Sequence, residues 1–229
     1  IKTDTFTFFL LFFYSRVIGL DPLLASSAIA LALIIDSITD PLMGAISDRT
    51  KTRFGRRHPY MLVSFIPITF FYILLFSPQE SWELSQNQLF WWMFLCATFT
   101  RIGITLFEVP HRSFGAEISN DYHERTKLFS WRELFAWTAG ISNAFFAYFV
   151  FFRSTPEYPQ GQLNPEAYFD LALLGGFVMA VSIIFSTIST RNEVNNLSSW
   201  KGTTQLNQIL NEILIALTNK SFLIFFFGN

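Results

Sequence analysis

The chain has 229 residues, of which 51% are hydrophobic and 14% are charged, and it contains 29 phenylalanines. This composition is too apolar for an ordinary soluble domain of this length and indicates a polytopic membrane protein. The formal net charge of −1 excludes the strongly basic surface that nucleic-acid binding needs, and the single cysteine, Cys96, excludes a disulfide within the chain.

Apolar runs of about 20 residues predict six membrane helices. They cover residues 3–20, 24–46, 60–77, 88–110, 134–152 and 168–189. The connections between them are polar and contain turn-forming residues, which is typical of a helical bundle. We therefore expect an all-α membrane protein.

The last part of the chain has a different pattern. Apolar residues recur at helical spacing within 206–217, which predicts an amphipathic helix. We expect a six-helix bundle at 1–190, a cytoplasmic linker at 191–220 and the start of a seventh membrane helix at 221–229. Because the first residue is Ile1 and not methionine, we expect the chain to be an internal fragment.

Basic residues concentrate in alternate loops. Apart from Arg112 at the end of helix four, the loops after helices two, four and six contain eleven lysines and arginines, whereas the opposite loops contain only Arg153. Basic loops are retained in the cytoplasm. We therefore expect a multi-pass protein of the plasma (inner) membrane with a cytoplasmic amino terminus.

Two aspartates interrupt the apolar run of the second helix. Asp36 and Asp40 are four residues apart, which places them on one helix face, about 6 Å from each other. An acidic side chain at mid-membrane costs about 2.5–3.5 kcal/mol on insertion scales. The pair therefore indicates an ion or substrate pathway. The alternative is that Asp40 reaches headgroup water near the helix end while Asp36 pairs with an arginine elsewhere in the bundle.

The fourth helix has a polar face of its own. Its members, at spacings of four, three and four, are Arg101, Thr105, Glu108 and Arg112. We expect this face to meet the aspartate pair of the second helix.

The most specific motif follows the second helix. A glycine and an Asp-Arg pair precede a basic cluster, in the residues Gly44, Asp48, Arg49, Arg53, Gly55, Arg56 and Arg57. This pattern resembles the loop two-three signature of the major facilitator superfamily. With three further segments, the chain resembles the glycoside-pentoside-hexuronide:cation symporter family; these segments are 36–41, 109–117 and 121–126.

The resemblance implies the six-helix N-terminal half of a twelve-helix transporter, plus the start of helix seven. The signature residues are expected to form a cytoplasmic gate, in which Gly44 allows close helix approach. The alternative is that the arginines serve only as a topology signal. The implied activity is symport of a sugar, glycoside or uronide with Na⁺ or H⁺ by alternating access. We expect a lipid-embedded monomer without a cofactor, apart from the transported ion.

In the family resembled, two carboxylates and a polar residue of helix two hold the coupling cation together with a threonine and a carboxylate of helix four. The matching residues here are Asp36, Thr39, Asp40, Thr105 and Glu108. Their oxygen atoms suit Na⁺, Li⁺ and protons. No metal other than a transported Na⁺ is implied.

The resemblance also implies a solute site, formed by Glu108, Arg112, Trp131 and Arg132. Arg112 stands where the melibiose-carrier type of site has a stacking aromatic. An arginine there suggests a solute with a negative charge, such as a uronide. The alternative is that Arg101 and Arg112 only neutralise the membrane carboxylates.

Other functions remain open at this point. A lysolipid or amphiphile carrier would have the same broader family features, and so would a receptor or scaffold built on a transporter fold. An enzyme is not expected, because the sequence has no Gly-x-Ser-x-Gly, no His-Glu-x-x-His and no glycine-rich phosphate loop with lysine.

Overall fold

The computed structural model describes residues 9–50, 52–119 and 121–192. Within these residues the structure is helical, which confirms the predicted all-α membrane fold. The first helix, α1, covers residues 9–17 and ends in a π-helical segment, Phe13–Val17. The other helices are α2 (Pro22–Arg49), α3 (His58–Leu75), α4 (Gln86–Glu117), α5 (Tyr122–Phe151) and α6 (Pro165–Ser189), with short 3₁₀ turns at Glu80–Trp82 and Gly161–Leu163.

Five of these helices, α2 to α6, are long and apolar enough to cross a membrane. α1 corresponds to the first predicted span, whose residues 3–8 lie outside the described part. The expected linker from residue 193 onward and the expected seventh helix at 221–229 also lie outside the described residues.

Local capping signals set where the helices begin. Asp21 accepts a hydrogen bond from a backbone N–H of the first turn of α2, and Asp121 does the same for α5. At α4, Ser85 and Gln88 form a reciprocal capping box. Such bonds satisfy N–H groups that have no partner within the helix.

Two predicted helix boundaries were wrong. α4 continues to Glu117 instead of ending at residue 110, and α5 begins at Tyr122 instead of residue 134. Pro110 lies inside α4, because a membrane helix tolerates proline where neighbouring groups satisfy the freed carbonyl. The first three turns of α5 are polar, so the hydropathy pattern missed them. As a result, Arg132 is a residue of a helix and not of a loop.

α4 is the central helix of the described bundle and packs against α2, α3 and α5. A Cβ atom on Gly103 would lie 2.9 Å from the backbone nitrogen of Ile68, so α3 and α4 are in direct backbone contact there. A Cβ atom on Gly44 would lie 3.6 Å from Val109 Cγ1, which is an ordinary contact distance. Of these two glycines, Gly103 thus lies at the tighter helix contact, and Gly44 is in ordinary contact with α4.

Aromatic side chains hold the bundle together at the end opposite the signature loop. The Tyr14 hydroxyl donates a hydrogen bond to the carbonyl of Leu75, 2.8 Å away. The Phe13 ring lies 4.9 Å from the ring of Tyr168, and all three aromatic side chains are buried. These contacts join α1, α3 and α6.

Candidate functional site

The Asp36–Asp40 pair of α2 meets α4 at Thr105. The Thr105 hydroxyl oxygen lies 3.1 Å from Asp36 Oδ1 and 2.8 Å from Asp40 Oδ1. A threonine hydroxyl has one proton, so it can donate to only one of the two carboxylates at a time. The helical spacing thus brings both aspartates to the same side chain, and the expected contact between the two polar faces is present.

Asp36 also forms an ion pair with Arg101. The Arg101 Nη1 atom lies 3.1 Å from Asp36 Oδ2, which is the oxygen that faces away from Thr105. Arg101 is 9% exposed. The sequence left open whether Asp36 pairs with an arginine of the bundle, and the structure contains that pair.

Asp40 is not at the end of its helix. α2 continues from Asp40 to Arg49, which is about 14 Å of helix. Its side chain lies on the exposed side of the described bundle, next to Thr105. Thr39 donates its hydroxyl proton to the backbone carbonyl of Asp36, at 3.1 Å. The Thr39 oxygen therefore offers lone pairs and no proton to a neighbour.

Glu108 belongs to a second charged cluster. Its Oε1 atom accepts contacts from Arg112 of the same helix and from Arg132 of α5, the latter at 3.3 Å. Arg132 in turn lies 3.7 Å from Glu133. Trp131, next to Arg132 on α5, is about half exposed.

The five residues expected to hold the cation thus divide between two places. Asp36, Asp40 and Thr105 lie together, whereas Glu108 contacts the arginines of the expected solute site. The two clusters are one helical turn apart, because Thr105 and Glu108 are separated by three residues on α4. A solute group and an ion bound at these places would therefore be near neighbours.

The first cluster contains three oxygen atoms, because one oxygen of each aspartate lies within hydrogen-bond distance of the Thr105 hydroxyl. Two are carboxylate oxygens and one is a hydroxyl oxygen, which are ligands that suit a hard monovalent cation. In the part of the chain that the structure describes, no group of three His, Cys, Asp or Glu side chains could hold a metal ion.

The signature loop joins the ends of α2 and α4. Arg57 Nη2 lies 2.6 Å from Asp48 Oδ1 of α2, and Arg57 Nη1 lies 2.8 Å from Glu117 Oε2 of α4. Arg57 is only 5% exposed, and Arg56 also contacts Glu117. Gly55 has a φ of +85°, the left-handed conformation that glycine adopts without strain.

Sequence reasoning assigned no role to Glu117, although it lies in one of the segments that carry the resemblance. The role of Glu117 could not be predicted because the predicted end of α4 was wrong. Since α4 continues to Glu117, this carboxylate lies opposite the basic loop.

His58, at the start of α3, is also buried, and its Nε2 atom lies 3.1 Å from Thr190 Oγ1. Among the other signature residues, Arg49 and Arg53 are exposed.

The chain is similar to known transport proteins. The chain matches the family described as MFS/sugar transport protein over residues 1–229. It is 35% identical to an uncharacterized symporter of Synechocystis sp. over 72% of the chain and 30% of the relative. It is 33% identical to the putative glycoside/cation symporter YagG of Escherichia coli over 55% of the chain and 26% of the relative.

A vertebrate protein is also similar. The chain is 32% identical to the sodium-dependent lysophosphatidylcholine symporter 1-A of Danio rerio, over 59% of the chain and 25% of that protein. The matched region thus spans between a quarter and a third of the length of these three relatives. The chain belongs to the MFS/sugar transport protein family, as a member resembling the glycoside-pentoside-hexuronide:cation symporters, and this is a family of transporters and not of enzymes.

Proposed function

We propose that the full-length protein is a symporter that couples movement of a sugar, glycoside or uronide to a gradient of Na⁺ or H⁺. The observation that carries the proposal is the position of the Thr105 hydroxyl between the carboxylates of Asp36 and Asp40. Two acidic side chains inside a membrane helix are costly unless a cation or a basic side chain compensates them, and Arg101 supplies one positive charge for the two carboxylates. The names of the similar symporters support the same activity.

A cation bound at this cluster would connect α2 to α4. Its ligands come from both helices, so its affinity depends on how the two helices are placed relative to each other. A cation that binds one arrangement more tightly shifts the population toward that arrangement. The cluster can thus couple ion binding to the rocking motion of alternating access. Thr39 would contribute a further oxygen from the same turn of α2.

The solute site in this proposal consists of Glu108, Arg112, Trp131 and Arg132. A carboxylate and planar guanidinium groups can bind sugar hydroxyls, and an exposed indole can stack on the apolar face of a sugar ring. Two guanidinium groups share one carboxylate here, which favours a solute with a negative charge such as a uronide. The proximity of Glu108 to Thr105 supplies a direct physical link between solute and ion.

The location follows from the same proposal. The arginines of the α2–α3 connection favour a cytoplasmic position for that end of the bundle. The ion pairs of Arg57 with Asp48 and Glu117 then form a latch at the cytoplasmic end. We propose a protein of the plasma (inner) membrane, with a cytoplasmic amino terminus, that works as a monomer.

A lysolipid carrier is the second candidate, because a sodium-dependent lysophosphatidylcholine symporter is among the similar proteins. The two candidates differ in the solute and share the cation cluster. Competition separates them: a panel of glycosides and uronides would inhibit uptake by a sugar symporter, whereas lysophosphatidylcholine would inhibit uptake by a lysolipid carrier.

The proposal is tested with the purified full-length protein in proteoliposomes. Labelled glycosides and uronides are offered under an imposed Na⁺ gradient, an imposed pH gradient or neither. We expect gradient-driven uptake that falls at least tenfold in Asp40→Asn. The matched control is Asp170→Asn, which removes an exposed acid from α6 and should leave uptake unchanged. Undiminished gradient-driven uptake by Asp40→Asn would refute the cation assignment.

A further inference from the structure

We infer that Arg101 is a specificity-determining residue for the cluster of Asp36, Asp40 and Thr105. Its positive charge sets the net charge of this cluster to a value that suits one monovalent cation. This inference rests on the proposed function, because it concerns the ion that the symporter couples to its solute. It is not part of that proposal, since the proposed ligands do not include Arg101. The residue is instead the partner of one of the ligands.

The position of Arg101 shows how it acts. Its guanidinium contacts Asp36 Oδ2, while Asp36 Oδ1 is directed to Thr105. The arginine therefore contacts a different oxygen of Asp36 from the one that contacts Thr105. A cation held by Asp36 Oδ1, Asp40 Oδ1 and the Thr105 hydroxyl can bind without displacing the arginine.

The charges of the cluster decide what that cation can be. Asp36 and Asp40 carry two negative charges and Arg101 carries one positive charge, so the three side chains sum to −1. One Na⁺ or Li⁺ neutralises this sum. Without the arginine, the sum would be −2, and hard oxygen ligands of that charge favour a divalent ion such as Ca²⁺. Arg101 thus lowers the affinity for every cation and disfavours divalent ions most.

Burial makes this effect large. Arg101 and Thr105 are both nine-tenths or more buried, so solvent screens the arginine poorly, whereas Asp40 is exposed and its side of the cluster is screened more. A unit charge about 6 Å from a bound cation, at an effective dielectric constant of about 20, changes the binding constant roughly 100-fold. Relaxation of the site reduces this, and we expect a change of about 10- to 100-fold. An exposed arginine at the same distance would have a much smaller effect.

The test is isothermal titration of the full-length protein with NaCl at pH 8 and constant ionic strength. Arg101→Met removes the charge and keeps most of the side-chain volume, whereas Arg101→Lys keeps the charge. We expect Arg101→Met to bind Na⁺ about 10- to 100-fold more tightly than the wild type, and Ca²⁺ to compete with Na⁺ only in this variant. Arg101→Lys should stay within about threefold of the wild type. Arg153→Met, which removes an exposed arginine, should bind Na⁺ as the wild type does.

A second pair of variants covers the case in which Arg101→Met does not fold. Asp36→Asn leaves a charge sum of zero, and Asp36→Asn with Arg101→Met restores −1. We expect the double variant to bind Na⁺ at least tenfold more tightly than Asp36→Asn alone. Equal or weaker Na⁺ binding in folded Arg101→Met, or no gain in the double variant, would overturn the inference while leaving the proposed symport intact. A wild-type protein that binds no Na⁺ would remove this inference and leave only H⁺ coupling for the proposed function.

Discussion

The Thr105 hydroxyl oxygen lies 2.8 Å from Asp40 Oδ1 and connects α4 to the aspartate pair of α2. The residue is 3% exposed, so this hydroxyl is directed into the helix interface and not to solvent. A buried hydroxyl that contacts two carboxylates, 3.1 Å from the second one, is placed to donate to one of them or to bind a cation with its lone pairs.

Replacement of this hydroxyl gives the first prediction. Thr105→Val keeps the shape of the side chain and removes the oxygen, so one ligand and one donor to the carboxylates are lost. We expect the Na⁺ concentration for half-maximal solute uptake in proteoliposomes to rise at least tenfold. Thr105→Ser, which keeps the oxygen, should stay within about threefold of the wild type. Equal Na⁺ dependence in the valine and serine variants would exclude Thr105 from ion binding.

The second prediction concerns the latch at the signature loop. Arg57 bridges Asp48 and Glu117 from a buried position, so Arg57→Ala leaves two carboxylates without this partner. The contact with Asp48 is a charged hydrogen bond, which contributes about 1.5–3 kcal/mol and less where the carboxylate is partly exposed, whereas the contact with Glu117 is an ion pair. We expect the apparent melting temperature in detergent to fall by several degrees.

The control for the latch is Arg53→Ala, which removes an exposed arginine from the same loop. Both variants change the net charge equally. The difference between their melting temperatures therefore measures the contribution of the Arg57 contacts with Asp48 and Glu117. If Arg53→Ala lowered the melting temperature as much as Arg57→Ala, the arginines would act through their charge and not through the contacts with α2 and α4.

Close helix packing gives the third prediction. A Cβ atom at Gly103 would lie 2.9 Å from the backbone of Ile68, so Gly103→Ala forces α3 and α4 apart. Such overpacking costs about 1–3 kcal/mol. We expect a lower melting temperature for Gly103→Ala, and an unchanged or slightly higher one for Gly140→Ala, whose new methyl group meets no atom within 4 Å. A melting temperature for Gly103→Ala equal to that of the wild type would show that the interface yields without cost.

Helical periodicity was sufficient to predict much of this architecture. The spacing of four between Asp36 and Asp40, and the polar face containing Thr105, predicted a contact that the structure contains. The positions depend only on helix geometry, which hardly varies along a membrane span. The order of the five membrane-length helices, α2 to α6, followed from hydropathy.

Contacts that depend on helix ends could not be predicted in this way. Hydropathy missed the polar start of α5, so it gave no sign that Arg132 faces Glu108 from a helix. It also ended α4 before Glu117, and the partner of Arg57 was therefore missed. The polar turns of a membrane helix lie at the level of water or inside the bundle. The mean hydropathy of such turns does not show whether they are helical.

The separation of Glu108 from the aspartate pair leads to the last prediction. Glu108 contacts Arg112 and Arg132, so Glu108→Gln removes the charge that these two guanidinium groups share and leaves Asp36, Asp40 and Thr105 in place. We expect the KM for the solute to rise at least tenfold, while Na⁺ binding by the purified protein changes less than threefold. Asp40→Asn should show the opposite order, with Na⁺ binding affected first. If Glu108→Gln lost Na⁺ binding as Asp40→Asn does, Glu108 would belong among the cation ligands. An effect of that size, one helical turn from Thr105, requires a direct ligand or a shift of α4 at Thr105.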